Sequence, residues 1–98
     1  MTKNKIGLSH ELIIHPGVTI KEIIDERNMS QEELAICTGF SAKYVSEVIN
    51  GTKDISLKFA NALENNIGIS SGFWINLQEI YDKKIKKMHK IVVRIDWH

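Results

Sequence analysis

The chain has 98 residues, 43% of them hydrophobic, which is enough for one domain with a single core. It has no long apolar run and no signal-peptide pattern, so we expect neither a membrane span nor secretion. The lone cysteine, Cys37, cannot form an internal disulfide, which favours a cytoplasmic protein. The formal net charge of +1 is divided unevenly, because residues 1–82 carry −4 and residues 83–98 carry +5.

Helical spacing of apolar residues predicts an all-α fold of five helices. We expect the first ten residues to form a loose arm and residues 12–14 to lie extended or pack on the core. Pro16 suits the first turn of helix one, whose apolar side includes Ile20 and Ile24. Asn28 can adopt the left-handed conformation that ends a helix.

Helices two and three are short and follow each other closely. Ser30 and Glu33 have the spacing of a capping box at the start of helix two. Gly39 predicts a turn with positive φ, and Ser41 then caps helix three. Helix three has an inward side of Val45, Val48 and Ile49, and it ends at the turn signal Asn50-Gly51.

Two more helices are predicted in the remainder of the chain. Ser56 caps helix four, where Leu57, Ala60 and Leu63 repeat at three-residue steps, and Gly68 ends it. Ser70 or Ser71 opens helix five, with the lysines of residues 83–87 at its C-terminal end. Beyond His89 the β-branched residues predict a short strand or extended tail. We expect one domain over residues 1–98, with a core at 12–82 and a basic extension at 83–98.

Two short helices joined by a glycine turn are typical of a helix-turn-helix, in which the second helix enters the major groove of DNA. The residues best placed to meet base edges are those of its outward N-terminal half. Lys43 can donate to guanine, Glu47 can accept from cytosine, and Ala42 can contact a thymine methyl group. The predicted base-contacting residues are Ser41, Ala42, Lys43, Ser46 and Glu47. The plainer alternative is an amphipathic helix with a solvated face.

Phosphate contacts are predicted on both sides of this helix. Gln31 lies in the first turn of helix two, where unpaired backbone N–H groups favour phosphate oxygens. Thr52 and Lys53 follow helix three, and Tyr44 is expected to contact a phosphate or to pack on helix two. Lys53 as an ordinary surface lysine is an equal alternative.

Several segments resemble the HigA-type antitoxins among the XRE, or lambda-repressor-like, helix-turn-helix proteins. The matching segments are His15-Pro16-Gly17, Ser30 to Ala35, Gly39, Asn50-Gly51 and the block Phe73 to Gln78 with Tyr81-Asp82. The resemblance implies a five-helix domain that binds a palindromic operator as a homodimer and represses its own genes. It also implies a partner toxin, an mRNA-cleaving protein of the HigB/RelE kind. Ala42 and Glu47 stand where the family commonly has arginine or other polar residues.

Two alternatives remain open beside this function. The first is a stand-alone regulator without a toxin, and the second is a protein-binding neutraliser with weak DNA binding. The lysines of residues 83–87 are interpreted as a solvated helix end, a phosphate-contacting arm or a docking site for an acidic partner.

The aromatic pair on helix five favours a core or dimer interface over a ligand site. The residues predicted for this role are Phe73, Trp74, Leu77 and Tyr81. Asn76, Gln78 and Asp82 are expected on the outer face, as a polar interface rim. No histidine or cysteine spacing suggests a metal, and no catalytic motif or cofactor is predicted, so the chain is not expected to be an enzyme.

Overall fold

A computed structural model describes residues 13–96 of the chain, with side chains described for residues 13–88. The described residues form five α-helices and no strand: α1 (Pro16–Glu26), α2 (Gln31–Thr38), α3 (Ala42–Ile49), α4 (Leu57–Ile67) and α5 (Ser71–Asp96). The all-α, five-helix prediction is confirmed. Leu12 lies outside the described residues, and Ile13 and Ile14 form no strand.

Side-chain caps begin the helices where the sequence predicts them. The N–H of Glu33 donates to Ser30 Oγ at 3.0 Å and the N–H of Ser30 donates to Glu33 Oε1 at 2.8 Å, which completes the capping box. Ser41 and Ser56 accept from the N–H groups of Tyr44 and Phe59 in the same way. These caps satisfy N–H groups that have no partner within a helix.

The turns between the helices use the left-handed conformation at the predicted positions. Asn28 has φ 57°, and Gly39, Gly51 and Gly68 have φ 76°, 86° and 89°. Residues other than glycine and asparagine rarely adopt these φ angles. The glycine between α2 and α3 therefore fixes the turn that defines the helix-turn-helix.

One apolar core joins all five helices. Its fully buried members come from α1 to α5 and are led in size by Trp74, Phe59, Ile20, Ile24, Leu34, Leu63, Val45 and Val48. Leu57, which the three-residue spacing grouped with Ala60 and Leu63, is instead 64% exposed. The side of α4 that faces the core passes through Phe59, Leu63 and Ile67.

The prediction of a short strand or extended tail after His89 is wrong, because α5 continues to Asp96. The strand preference of Ile91, Val92 and Val93 is weak and depends on a neighbouring strand. A helix that is already formed adds one backbone hydrogen bond for each residue it orders. The lysines of residues 83–87 therefore lie in the middle of α5 and do not neutralise its C-terminal end.

Candidate nucleic-acid interface

Helix α3 is anchored on one side and open on the other. Val45 and Val48 have no exposed surface, and Ile49 is 9% exposed. The opposite side carries the five predicted base-contacting residues. Ser41, Ala42 and Lys43 are exposed at the N-terminal end, and Ser46 and Glu47 are half-buried one turn further on. The structure thus places these five residues at the N-cap and along the open side of α3.

A glycine in α1 sets the depth at which α3 is seated. A Cβ added to Gly17 would lie 2.0 Å from the carbonyl oxygen of Val48 and 2.9 Å from Cα of Ile49. Both atoms belong to the backbone, so no side-chain rotation could make room. The His15-Pro16-Gly17 motif is therefore a packing motif that holds the C-terminal part of α3 against α1.

His15, which precedes α1, connects this helix to α5. Its Nδ1 accepts from the N–H of Gly17 at 2.9 Å, which caps α1, and its ring meets Tyr81 of α5 edge-on at 4.8 Å. Nε2 lies 3.7 Å from Oδ1 of Asp54. His15 is thus the N-cap of α1.

The turn after α3 is tied back to Glu47. The N–H groups of Thr52 and Lys53 donate to the carbonyl oxygen of Glu47 at 2.9 and 3.2 Å. The hydroxyl of Thr52 donates to the same oxygen at 3.1 Å. The donor that a Thr52–phosphate contact needs is thus used within the protein, whereas the side chain of Lys53 is exposed.

Tyr44 has a structural task in the same region. Its hydroxyl donates to the carbonyl oxygen of Asp54 at 2.9 Å and accepts from the N–H of Ser56 at 3.3 Å. Its ring stacks on Phe40 at 5.1 Å and meets Phe59 edge-on at 5.1 Å. A hydroxyl has only one proton to donate, so Tyr44 supports the loop before α4 and is not in our proposed phosphate-contacting set.

Gln31 and Asn50 lie at the two ends of the helix-turn-helix. Gln31 is half-buried in the first turn of α2. Asn50 is exposed after α3, and its Nδ2 lies 3.5 Å from Oγ of Ser46. In the sequence Asn50 signals a turn, and its spacing of four from Ser46 also places it on the same helix side.

The aromatic block of α5 divides between core and surface. Trp74 is fully buried, and Phe73, 43% exposed, meets it edge-on at 5.1 Å. Leu77 is half-buried against the core, and Tyr81 is half-buried with its ring in contact with His15. Only part of the predicted set therefore lies on an open surface.

The prediction that Gln78 lies on an outer polar rim is wrong. Gln78 is 6% exposed, its Oε1 accepts from the N–H of Ile55 at 2.8 Å, and its Nε2 donates to Oδ1 of Asp82 at 3.0 Å. It satisfies a buried N–H in the loop between α3 and α4. Periodicity misses this because it treats every polar residue as outward-facing.

The described residues contain neither a metal-binding cluster nor a membrane-spanning helix. Within that part of the chain, no group of three or more His, Cys, Asp or Glu side chains could hold a metal ion. No helix there is long and apolar enough to cross a membrane.

The geometry has a match among known protein families. A family model described as helix-turn-helix matches residues 20–74, which run from the middle of α1 into α5. The chain belongs to the helix-turn-helix family. Because this family consists of DNA-binding regulators, the prediction that the protein is not an enzyme agrees with its membership.

This helix-turn-helix protein is also similar to individual proteins of known description. It is 33% identical over 85 residues to virulence-associated protein A′ of Dichelobacter nodosus, covering 85% of this chain and 74% of that one. An addiction module antidote protein of a HigA family from Coxiella burnetii is 32% identical with a TM-score of 0.72, covering 84% and 92%. The antitoxin HigA of Pseudomonas aeruginosa, solved with the higBA promoter, is 29% identical with a TM-score of 0.77, covering 80% and 86%. The resemblance to HigA-type proteins is thereby confirmed.

Proposed function

We propose that this helix-turn-helix protein is an antitoxin and autorepressor that binds the operator of its own genes as a dimer. Its second activity is to neutralise a partner toxin, an mRNA-cleaving protein of the HigB/RelE kind. The observation that carries the proposal is the open N-terminal half of α3, with Ser41, Ala42 and Lys43 exposed on a helix whose other side is buried. The likeness to a HigA solved with its promoter supports the same function.

The proposed DNA contacts follow from exposure and remaining hydrogen-bond capacity. Lys43 donates to a guanine edge, Glu47 accepts from a cytosine, and Ala42 contacts a thymine methyl group. Ser46, beside them, is placed to contact a base edge with its hydroxyl. Gln31 and Lys53 contact phosphates on either side and fix the position of α3 along the duplex.

The dimer of the proposal uses the open side of α5. Phe73 and Ile80 are each 43% exposed, and half-buried Leu77 lies between them at the four- and three-residue spacing of one helix side. An exposed apolar stripe of this kind is typical of a protein interface. A two-fold dimer presents its two copies of α3 to half-sites about 34 Å apart.

A specific observation favours a second candidate, a neutraliser that binds DNA weakly. Glu47 places a carboxylate on the face that meets DNA, and residues 1–82 carry a net charge of −4. Both features reduce the attraction to phosphates. The salt dependence of DNA binding separates the two candidates, since a weak binder that neutralises few phosphates has a shallow slope.

An electrophoretic mobility shift assay on the DNA upstream of the gene tests the repressor function. We expect a shift at or below micromolar protein that survives excess competitor DNA of unrelated sequence and weakens as salt rises. A shift that unrelated DNA competes away equally well contradicts the repressor function.

The antitoxin function is tested by expressing the gene next to this one. We expect its product to be a small basic protein that stops growth when expressed alone and is harmless when this chain is co-expressed. A neighbouring product that is harmless alone, or that stops growth even with this chain present, would leave the regulator without a toxin as the better function.

A further inference from the structure

Helix α2 leaves an apolar residue uncovered on its outer side. Ile36 is 80% exposed, the highest value among the large apolar side chains that the structure describes. It lines a shallow groove together with Arg27, Asn28, Met29, Glu33 and Cys37. We call this groove, together with Glu32, the Ile36 face. An isoleucine so exposed has no role in the core, and with Met29 and Cys37 it makes the groove a contiguous apolar surface that a partner can cover.

The Ile36 face is separate from the proposed DNA-contacting residues. Gln31 and Ile36 are five positions apart on α2, and this places them about 140° apart around the helix. Leu34 and Ala35 point into the core on the side of α2 that faces away from Ile36. A partner on the Ile36 face therefore approaches α2 from a different side than a phosphate near Gln31.

The charge around Ile36 indicates the chemistry of its partner. Residues 16–38 contain five acidic and two basic residues, a net charge of −3. All five acids are exposed: Glu22, Asp25, Glu26, Glu32 and Glu33. Of the two bases, Lys21 is paired with Asp25 at 2.7 Å, and Arg27 lines the groove, so that Glu32 and Glu33 leave the Ile36 face with a net charge of −1. A surface with this balance favours a basic protein over nucleic acid or a second copy of itself.

Glu32 and Glu33 lie beside the apolar centre. They precede Ile36 by four and three residues, so they share its side of α2. An apolar residue with a polar rim has the usual composition of a protein–protein interface. Glu33 also holds the capping box of α2, which fixes its carboxylate close to Ser30 at 2.8 Å.

We propose that the Ile36 face is the docking surface for a small, basic, RNA-binding protein, with Ile36 as the apolar contact and Glu32 and Glu33 facing cationic side chains. This rests on the proposed antitoxin function. An enzyme that cleaves mRNA needs lysines and arginines for the phosphates of its substrate. An acidic surface that pairs with those cations competes with RNA and leaves α3 free for the operator.

The test uses the full chain, the basic protein encoded next to its gene and the upstream DNA. Binding of that protein is measured by isothermal titration calorimetry for the wild type, Ile36→Glu, Glu32→Lys and Leu57→Glu. Leu57 is a matched control because it is an exposed apolar residue on a different helix, 64% exposed. Glu32 is chosen for charge reversal because Glu33 is needed for the cap of α2.

We expect Ile36→Glu and Glu32→Lys each to weaken binding at least tenfold, with Leu57→Glu close to wild type. All three variants keep the operator shift, which shows that they are folded. Glu32→Lys alone decides the test if Ile36→Glu fails to fold.

Three results overturn the proposal. If all variants bind the neighbouring protein as the wild type does, the docking surface lies elsewhere although the antitoxin function stands. If Ile36→Glu changes the sedimentation coefficient of the free protein, the face is a contact between copies. If the wild type does not bind the neighbouring protein, the antitoxin function and this docking surface fail together.

Discussion

At the scale of single residues, Lys43 has the most direct proposed contact with a DNA base. It lies in the first turn of α3, exposed, on the side opposite buried Val45 and Val48. A long cationic side chain at this position can donate to both acceptors of a guanine, whereas a lysine elsewhere on the surface reaches only phosphates.

We expect Lys43→Ala to weaken operator binding by about tenfold to a hundredfold, because a good base contact carries roughly 1–3 kcal/mol of discrimination. Because Lys43 is exposed, the thermal midpoint stays within a degree or two of wild type. Lys58→Ala, an exposed lysine on α4, is the control and should bind as wild type. Equal affinities for the two variants in the mobility shift assay would remove Lys43 from the base-contacting set.

Gly17 and Gly39 differ in what opposes the replacement of glycine by a larger residue. A side chain at Gly17 meets the backbone of α3 at 2.0 Å, whereas a side chain at Gly39 meets nothing within 4 Å and is limited only by φ 76°. Steric overlap with a backbone costs more than a left-handed conformation.

We therefore expect Gly39→Ala to lower the free energy of unfolding by about 1–2 kcal/mol, the cost of the left-handed conformation. Gly17→Ala should lower it by about 3 kcal/mol or more, as overpacking against fixed atoms does. Urea denaturation followed by circular dichroism measures both. A Gly17→Ala protein as stable as Gly39→Ala would mean that α1 and α3 separate easily.

At the scale of helices, α5 is fastened to the rest of the domain by polar and aromatic contacts as well as by Trp74. The buried amide of Gln78 joins it to the N–H of Ile55, and Tyr81 joins it to His15. Trp74, Gln78 and Tyr81 thus hold α5 in place around the loop that follows α3.

Replacing Gln78 tests this fastening. Gln78→Leu leaves the N–H of Ile55 without its acceptor in a buried position, which costs about 1–3 kcal/mol of unfolding free energy. Asn76→Leu changes an exposed residue of the same helix and should have an effect within about 0.5 kcal/mol. Chemical denaturation of both variants gives the comparison, and similar values would mean that Gln78 contributes nothing specific.

Local chemistry made most of the fold predictable from the sequence. Ser30, Ser41 and Ser56 cap the helices as predicted, and Asn28 and Gly39 form left-handed turns, because caps and turns depend on a few adjacent residues. Burial of Gln78 and the close approach at Gly17 were not predicted. Both depend on partners more than twenty residues away, which no local pattern contains.

The prediction for the end of α5 was wrong for a related reason. A run of β-branched residues predicts a strand only where another strand lies beside it, and none is present in the described part of the chain. For the candidate site, the sequence identified which side of α3 is open. It did not show that the hydroxyls of Tyr44 and Thr52 already donate within the protein.

At the scale of the whole molecule, charge is separated along the chain. Helices α1 and α2 form an acidic part, whereas residues 83–98 carry a net charge of +5. Helix α5 is about 39 Å long at 1.5 Å per residue, and Lys83, Lys86 and Lys87 are exposed along it. In the proposed dimer, the apolar stripe of Phe73, Leu77 and Ile80 lies in the N-terminal part of this helix.

We expect Ile80→Glu to shift the protein from dimer to monomer in analytical ultracentrifugation, because it places a carboxylate within an apolar contact. Operator binding should weaken with it, since each half-site is then bound separately. Glu79→Gln, a change at the adjacent exposed position, is the control. A monomeric wild type, or an Ile80→Glu protein that remains dimeric, would contradict the proposed interface.

The backbone contact at Gly17 has a thermodynamic consequence for DNA recognition. Because the main chains of α1 and α3 touch there, α3 cannot tilt relative to the body of the domain without moving α1. The protein thus meets DNA with its recognition helix already ordered, and little conformational entropy is lost on binding. Adjustment to an imperfect operator must then come from the duplex, so selectivity extends to base pairs that the protein never touches, through the ease with which they bend.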